Sequence, residues 1–231
     1  MESSHKKIRS FVIRASRTSS RQKKNYDQLL PIYGIPYKPE GTLLSESFGP
    51  HDLLVVEIGF GMGDATLELA QKFPLTAFVG VDVHLPGVGR VLGEIQTQNL
   101  TNLKIIHHDA VEVLDTVASQ SVDGFHIFFP DPWPKKKHHK RRLLQQPFVK
   151  KLVEVLKPGG YLYFATDWEE YALEVRDLLR SFGNLSTPYT DWAEGIDWRP
   201  NTKFERRGVQ EQRPIRELFF RKENSKEFNH G

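Results

Sequence analysis

The sequence predicts an α/β fold built on a doubly wound, mostly parallel sheet, and three observations carry that reading. Short apolar runs recur from residue 53 onward. Amphipathic or glycine-tolerant helical segments separate them. The first run ends in a cluster of glycines, as a strand does where it turns into a helix above a ligand crevice.

Leu53 to Ile58 (LLVVEI) has the continuous apolar character of a buried parallel strand. Residues 64–73 read as a helix stopped at Pro74. TAFVGVD (76–82) is the second strand, 86–99 the second helix, and LKIIH (103–107) the third strand. Asp109, with Glu112 three residues on, resembles a capping box opening the helix AVEVLDTVA. VDGFHIFFP (122–130) is the fourth strand. After a polar loop a helix runs to about Leu156, stopped by the breaker Lys157-Pro158-Gly159-Gly160. YLYFATD (161–167) is the fifth strand. Trp168, Tyr171, Ala172, Val175, Leu178, Leu179 and Phe182 then form the stripe of a core-facing helix. IRELFFR (215–221) is the last strand. Residues 1–50 show no sustained periodicity and read as a basic arm and connector. The expected division is an arm and connector over 1–45, one domain over 46–223 and a polar tail over 224–231.

Composition narrows the function. The 231 residues include no cysteine, which excludes disulfides, thiolate metal sites and cysteine nucleophiles. No apolar run approaches the roughly 18 residues of a membrane span. MESSHKKIRSF has no apolar stretch behind its charges and does not read as a secretory signal, so a cytoplasmic protein is expected. The net charge of +3 hides an asymmetry. Residues 1–24 hold eight Lys/Arg and one Glu, and 135–142 (KKKHHKRR) add six cations and no acid. The remainder carries 18 Lys/Arg against 28 Asp/Glu. An acidic body with two basic patches suggests a polyanionic partner. A helix starting near His139 would set these cations against its dipole, a placement that stability alone does not favour.

The crevice motif is Glu57-Ile58-Gly59-Phe60-Gly61-Met62-Gly63-Asp64. A dinucleotide fingerprint starting at Gly59 would need its final glycine where Asp64 stands, so that fingerprint fails. The pattern E-x-G-x-G-x-G resembles motif I of S-adenosylmethionine-dependent methyltransferases. Their cofactor carries an ammonium and a sulfonium in place of phosphates, which suits an acid beside the turn. Asp82, at the end of the second strand, is placed to accept from ribose hydroxyls. Asp109, after the third, is placed to reach an adenine amino group. The paired histidines 107–108 and 138–139 lack a spaced ligand set, so no metal is expected.

The fourth strand ends in Phe128-Phe129-Pro130-Asp131-Pro132-Trp133, and the lysine-rich run follows at once. With IRSFVIR, EIGFGMG, HLPGVG, HDAVEVL, KRRL, ATDWEEYA and TKFERRG, this stretch is similar to the signature of bacterial tRNA (guanine-N7-)-methyltransferases over roughly residues 8–221. The resemblance implies a Rossmann-like, seven-stranded class I methyltransferase sheet with an antiparallel last strand. It implies S-adenosylmethionine as cofactor and the variable-loop guanine of tRNA, position 46, as substrate. It also implies cofactor contacts at Glu57, Gly59, Gly61, Asp82, Asp109 and Asp131, with Asp131 in the catalytic position. Substrate contacts would fall on Lys135, Asp167, Thr202, Lys203, Phe204 and Glu205, and RNA contacts on Lys137, His138, His139, Lys140, Arg141 and Arg142. A monomer or homodimer is expected, with no membrane partner. Three rivals stand beside it. An exocyclic-amine methyltransferase would want a second proline where Trp133 stands. A small-molecule methyltransferase leaves both basic patches unexplained, and a non-enzymatic RNA-binding protein leaves the four acids unexplained.

Overall fold

The computed structural model describes residues 17–200 and 213–224. Seven strands form one sheet in the order β3-β2-β1-β4-β5-β7-β6. They are β1 (Leu53–Ile58), β2 (Thr76–Asp82), β3 (Leu103–His107), β4 (Val122–Phe128), β5 (Leu156–Thr166), β6 (Leu185–Ser186) and β7 (Arg216–Lys222). β1 to β5 pair in parallel, whereas β7 runs antiparallel to β5 and to β6. The chain order reverses between β1 and β4, which opens a crevice at their carboxyl ends.

Helices cover both faces: α1 (Ser20–Tyr33), α2 (Asp64–Lys72), α3 (Leu85–Gln98), α4 (Ala110–Thr116), α5 (Gln146–Val155) and α6 (Glu169–Arg180). Alternation along β1 divides the core. Leu54, Val56 and Ile58 pack with Val113, Leu114, Phe148, Leu152, Tyr171 and Val175 on the α4–α5–α6 face. Val55 faces the other way and joins Leu29, Leu69, Val91, Leu92 and Ile95 from α1, α2 and α3. Burial on both faces is why the strands read as continuous apolar runs.

Four expectations are corrected. Residues 20–44 are no connector: α1 is a capped helix, its Ser19 and Gln22 forming a reciprocal capping box. Leu29, Ile35 and Leu44 are buried in the common core. Tyr26, Leu30 and Tyr33 of α1 pack beside Leu29 on that cluster, and the docking also depends on glycine, which carries no apolar signal. A Cβ on Gly89 of α3 would stand 2.2 Å from the Gln22 carbonyl oxygen, so that glycine lets the two helices meet. Secondly, α5 stops at Val155 as expected, but β5 begins at once at Leu156 instead of at Tyr161 and takes in Lys157–Gly160, where a register shift against Val122 and Gly124 absorbs them. Thirdly, Asp109 caps α4 by accepting from the Val111 amide at 3.0 Å, but Glu112 pairs with His108 at 2.7 Å instead of closing the box. Lastly, Lys136–Arg141 form a separate 3-10 helix and α5 begins only at Gln146, so the cations do not oppose the dipole of α5. Among the described residues no helix is long and apolar enough to cross a membrane.

Candidate active site

The glycine turn after β1 is shaped by dihedrals. Gly59 and Gly61 sit at φ 77° and 60°, and nothing lies within 4 Å of where either Cβ would be. Backbone is therefore exposed to a ligand at the mouth of the crevice. Beneath it Glu57 is buried and accepts from the Thr66 hydroxyl at 2.7 Å. Desolvation raises its carboxyl to about 7, against the lowering effect of that bond, with nearby Asp82 adding a smaller upward push. Asp82 braces the turn from β2, accepting from the Gly61 amide at 2.7 Å and the His84 amide at 2.8 Å. Burial raises its pKa also, countered by those same bonds. Asp64 pairs with Arg90 at 2.8 Å.

Asp109 lies at the carboxyl end of β3, half-buried. His107 beside it is held by the Tyr26 hydroxyl at 2.8 Å and the Val83 carbonyl at 3.2 Å, and His108 stacks on Tyr37 at 3.8 Å. Residues of the amino-terminal segment thus line this end of the sheet, which sequence reasoning missed. The histidine pair in 103–108 is used for packing.

Asp131 stands on an exposed loop between two strained residues, Phe129 at φ 51° and Trp133 at φ 47°. Side chains rarely tolerate that region, and such strain persists where surrounding contacts hold it. One is the Phe129 amide donating to Ala165 of β5 at 2.8 Å. Lys135, Lys137 and Lys140 are exposed on and beside the following 3-10 helix. Trp133 packs there, with the Arg141 guanidinium 4.4 Å from its ring centre and His138 edge-on. Slight desolvation, then the charges of Lys137, Arg141, Lys135 and Lys140, lower the His138 pKa.

Two expected RNA contacts are placed otherwise. Arg142 is 1% exposed and salt-bridged to Glu174, so it cannot reach a phosphate without abandoning that partner. His139 is half-buried, with its ring nitrogens 3.8 Å from Glu170 and 3.6 Å from Glu174. These three side chains could approach one cation geometrically, but the Arg142 guanidinium already supplies the positive charge there.

Asp167, at the end of β5, accepts from Arg213 at 2.9 Å. Thr202, Lys203, Phe204 and Glu205 lie outside the described residues. On their amino-terminal side, Arg199 is buried in an ion pair with Glu217 of β7, whose other oxygen accepts from the Tyr163 hydroxyl. The structure thus gathers Glu57, Gly59, Gly61, Asp82, Asp109, Asp131 and Asp167 along one edge of the sheet.

The sequence profile of a family described as "Putative methyltransferase" matches residues 51–218. A tRNA (guanine-N(7)-)-methyltransferase of Nitrosomonas europaea is 48% identical over 219 residues, covering 94% of this chain and 98% of the relative. Enzymes of the same name from Burkholderia lata and Neisseria meningitidis serogroup C are 49% and 47% identical, over 94% and 93% of this chain and 86% and 91% of their own. The chain belongs to the tRNA (guanine-N(7)-)-methyltransferase family. Solved structures agree on the fold. The 16S rRNA methyltransferase KamB matches at TM-score 0.55 with 14% identity, covering 78% of this chain and 92% of its own. The aminoglycoside resistance methyltransferase NpmB1 matches at 0.54 with 18% identity, covering 78% and 91%.

The methyl donor of this methyltransferase family is S-adenosylmethionine, and the crevice fits it. The turn is open above Gly59 and Gly61, Glu57 is buried beneath it, and Asp82 and Asp109 stand at successive strand ends, a set of groups that could hold an ammonium, a ribose and an adenine. The cation at the turn, Arg90, is committed to Asp64 and to the Met62 carbonyl.

Proposed function

We propose that the protein methylates N7 of guanine 46 in the variable loop of tRNA, working in the cytoplasm as a monomer or homodimer. The observation that carries the proposal is that one sheet edge brings together the glycine–acid crevice, the strained Asp131 loop and the exposed lysines beside it. S-adenosylmethionine supplies an electrophilic methyl group on a sulfonium. Glu57 holds the cationic amino-acid end, Asp82 the ribose and Asp109 the adenine.

Guanine N7 has an in-plane lone pair and no proton, so the protein needs no strong base to make it nucleophilic. The task of its side chains is alignment, holding N7 in line with the methyl–sulfur bond. The product gains positive charge on its imidazole ring, and the Asp131 carboxylate stabilises charge that moves toward the purine. Asp167 and Glu205 bind the N1–H and N2 amino edge, with Thr202, Lys203 and Phe204 completing the base pocket. Lys135, Lys137 and Lys140 bind phosphates.

Incubation with methyl-labelled cofactor and unmodified tRNA, followed by mapping of the modified base, tests this reading. Label at N7 of guanine 46 is expected. Label on an exocyclic amine, or on no RNA base, would overturn it.

A further inference from the structure

Arg142 has the largest fully buried side chain among the described residues, although it ends the most cationic run of the sequence. Its three guanidinium nitrogens serve three segments. Nε donates to the Pro132 carbonyl at 2.9 Å. Nη1 donates to Glu174 of α6. Nη2 donates to His139 Nε2 at 3.1 Å and lies 3.8 Å from Glu170. The guanidinium carbon also stands 4.9 Å from the ring centre of Tyr171, whose hydroxyl accepts the Leu144 amide at 3.1 Å.

The position of these partners is what matters. Pro132 follows Asp131 directly and sits between Phe129 and Trp133, both held at positive φ. Glu170, Tyr171 and Glu174 belong to α6, which starts two residues after Asp167. One side chain therefore ties the loop bearing the first acid to the helix that follows the second. Burying a cation is a poor way to gain stability, because an apolar replacement often does as well. A planar fork with fixed donor directions is a good way to fix geometry, whereas a lysine presents its three donors from a single point on a flexible stem.

We propose that Arg142 is a positioning residue that locks the Asp131 loop against α6 and so sets the spacing of Asp131 and Asp167 around the target base. This rests on the function proposed above. Its action is indirect, through the Pro132 carbonyl and the α6 carboxylates.

The test is Arg142→Lys, followed by hydrogen exchange with mass-spectrometric readout and by single-turnover methylation at saturating tRNA and cofactor. Exchange should accelerate in peptides covering 129–141 and 167–174 and stay unchanged in β1, β2 and α3. The methylation rate should fall about tenfold or more, since small misalignments are costly in a reaction run on alignment, while cofactor affinity stays within about twofold. A uniform rise in exchange, or an unchanged methylation rate, would overturn the proposal. If the lysine variant does not fold, Glu174→Gln, on an exposed side chain, serves instead. It should show the same exchange pattern and a smaller rate loss, and wild-type behaviour in it would equally overturn the proposal. Failure of the wild-type enzyme to methylate tRNA would refute the proposed function separately, and the exchange pattern would still decide whether Arg142 ties the two segments.

Discussion

Glu57 and Thr66 meet in the floor beneath the glycine turn, the threonine hydroxyl donating to the buried carboxyl at 2.7 Å. One bond is little compensation for a carboxylate so far from water, and the group titrates near 7 in place of its ordinary 4.5.

The sign of the consequence is unusual for an acid. Between pH 4.5 and about 7 the folded protein keeps a proton that the unfolded chain has released. Stability therefore falls as pH rises through that window and stays lowered above it, by ~3 kcal/mol. Glu57→Gln without cofactor should be more stable than wild type at about pH 8 by an amount of that order, and no more stable near the acid end of the window. A cationic ligand reverses the balance by favouring the carboxylate. Wild-type cofactor affinity should tighten as pH rises toward neutrality, with proton release, and the Gln variant should bind weakly at every pH. Calorimetry in buffers of different ionisation enthalpy measures both; equal affinity of the two proteins above neutrality would remove Glu57 from the ammonium.

Asp82→Ala should weaken cofactor binding by about tenfold or more, because a charged acceptor for the ribose is lost. It should also cost about 1–3 kcal/mol of stability, since the same carboxylate holds the Gly61 and His84 amides. Asp82→Asn, which keeps one acceptor oxygen, should recover part of both. Chemical denaturation and calorimetry separate the two effects, and unchanged cofactor affinity in the alanine variant would sink the ribose assignment.

The placement of the residues proposed to hold the cofactor was readable in the sequence because it depends on local order. Gly59, Gly61, Asp82 and Asp109 each lie at a strand end, and a parallel sheet brings successive strand ends to one edge. The strands themselves were readable because burial on both faces leaves no polar interruption. What stayed hidden depends on contacts between distant segments. Arg142 looks in sequence like the five cations before it, and only the placement of α6 shows that it is enclosed. Helix α1 hides its docking in the backbone contacts of Gly89, and Tyr26 finds His107 across 81 positions.

His126 gives a second pH prediction, of opposite sign. It is buried in β4 with Nε2 against the Tyr161 hydroxyl at 2.9 Å, and desolvation lowers its pKa from 6.5 to about 3. Below pH 6.5 the unfolded chain takes up a proton that the folded protein refuses. Stability is therefore full above 6.5 and is lost as pH falls toward 3, by ~3 kcal/mol in the first two units. His126→Gln can keep the bond to Tyr161 without titrating. Its urea midpoint should change much less than that of wild type between neutrality and about pH 4.5. Equal acid sensitivity in both proteins would show that other groups control the loss.

Replacing Lys135, Lys137 and Lys140 together by Gln should raise the Michaelis constant for tRNA and flatten its salt dependence, with cofactor affinity unaffected. Each phosphate contact removed should take about 0.7–0.9 units from the log–log slope. Arg142 is left out because its charge is spent internally. Weaker tRNA binding with an unaltered slope would mean that these lysines act by some means other than phosphate contact.

Asp131 decides what kind of catalyst this is. If the side chains align the reactants and stabilise charge, Asp131→Ala should cut the turnover number by about a hundredfold or more, a loss typical of removing a preorganised electrostatic group. Cofactor affinity should fall less. Asp131→Asn keeps an oxygen for hydrogen bonding but not the charge, so it should recover only part of the rate. N7 has no proton to remove, and the single-turnover rate at saturating tRNA and cofactor should therefore show no dependence on a general base titrating near neutrality. A rate that declined on protonation of one group near neutral pH, and lost that decline in Asp131→Asn, would refute alignment. The carboxylate would then be acting as a base on the guanine, and N1 carries the proton it would have to take.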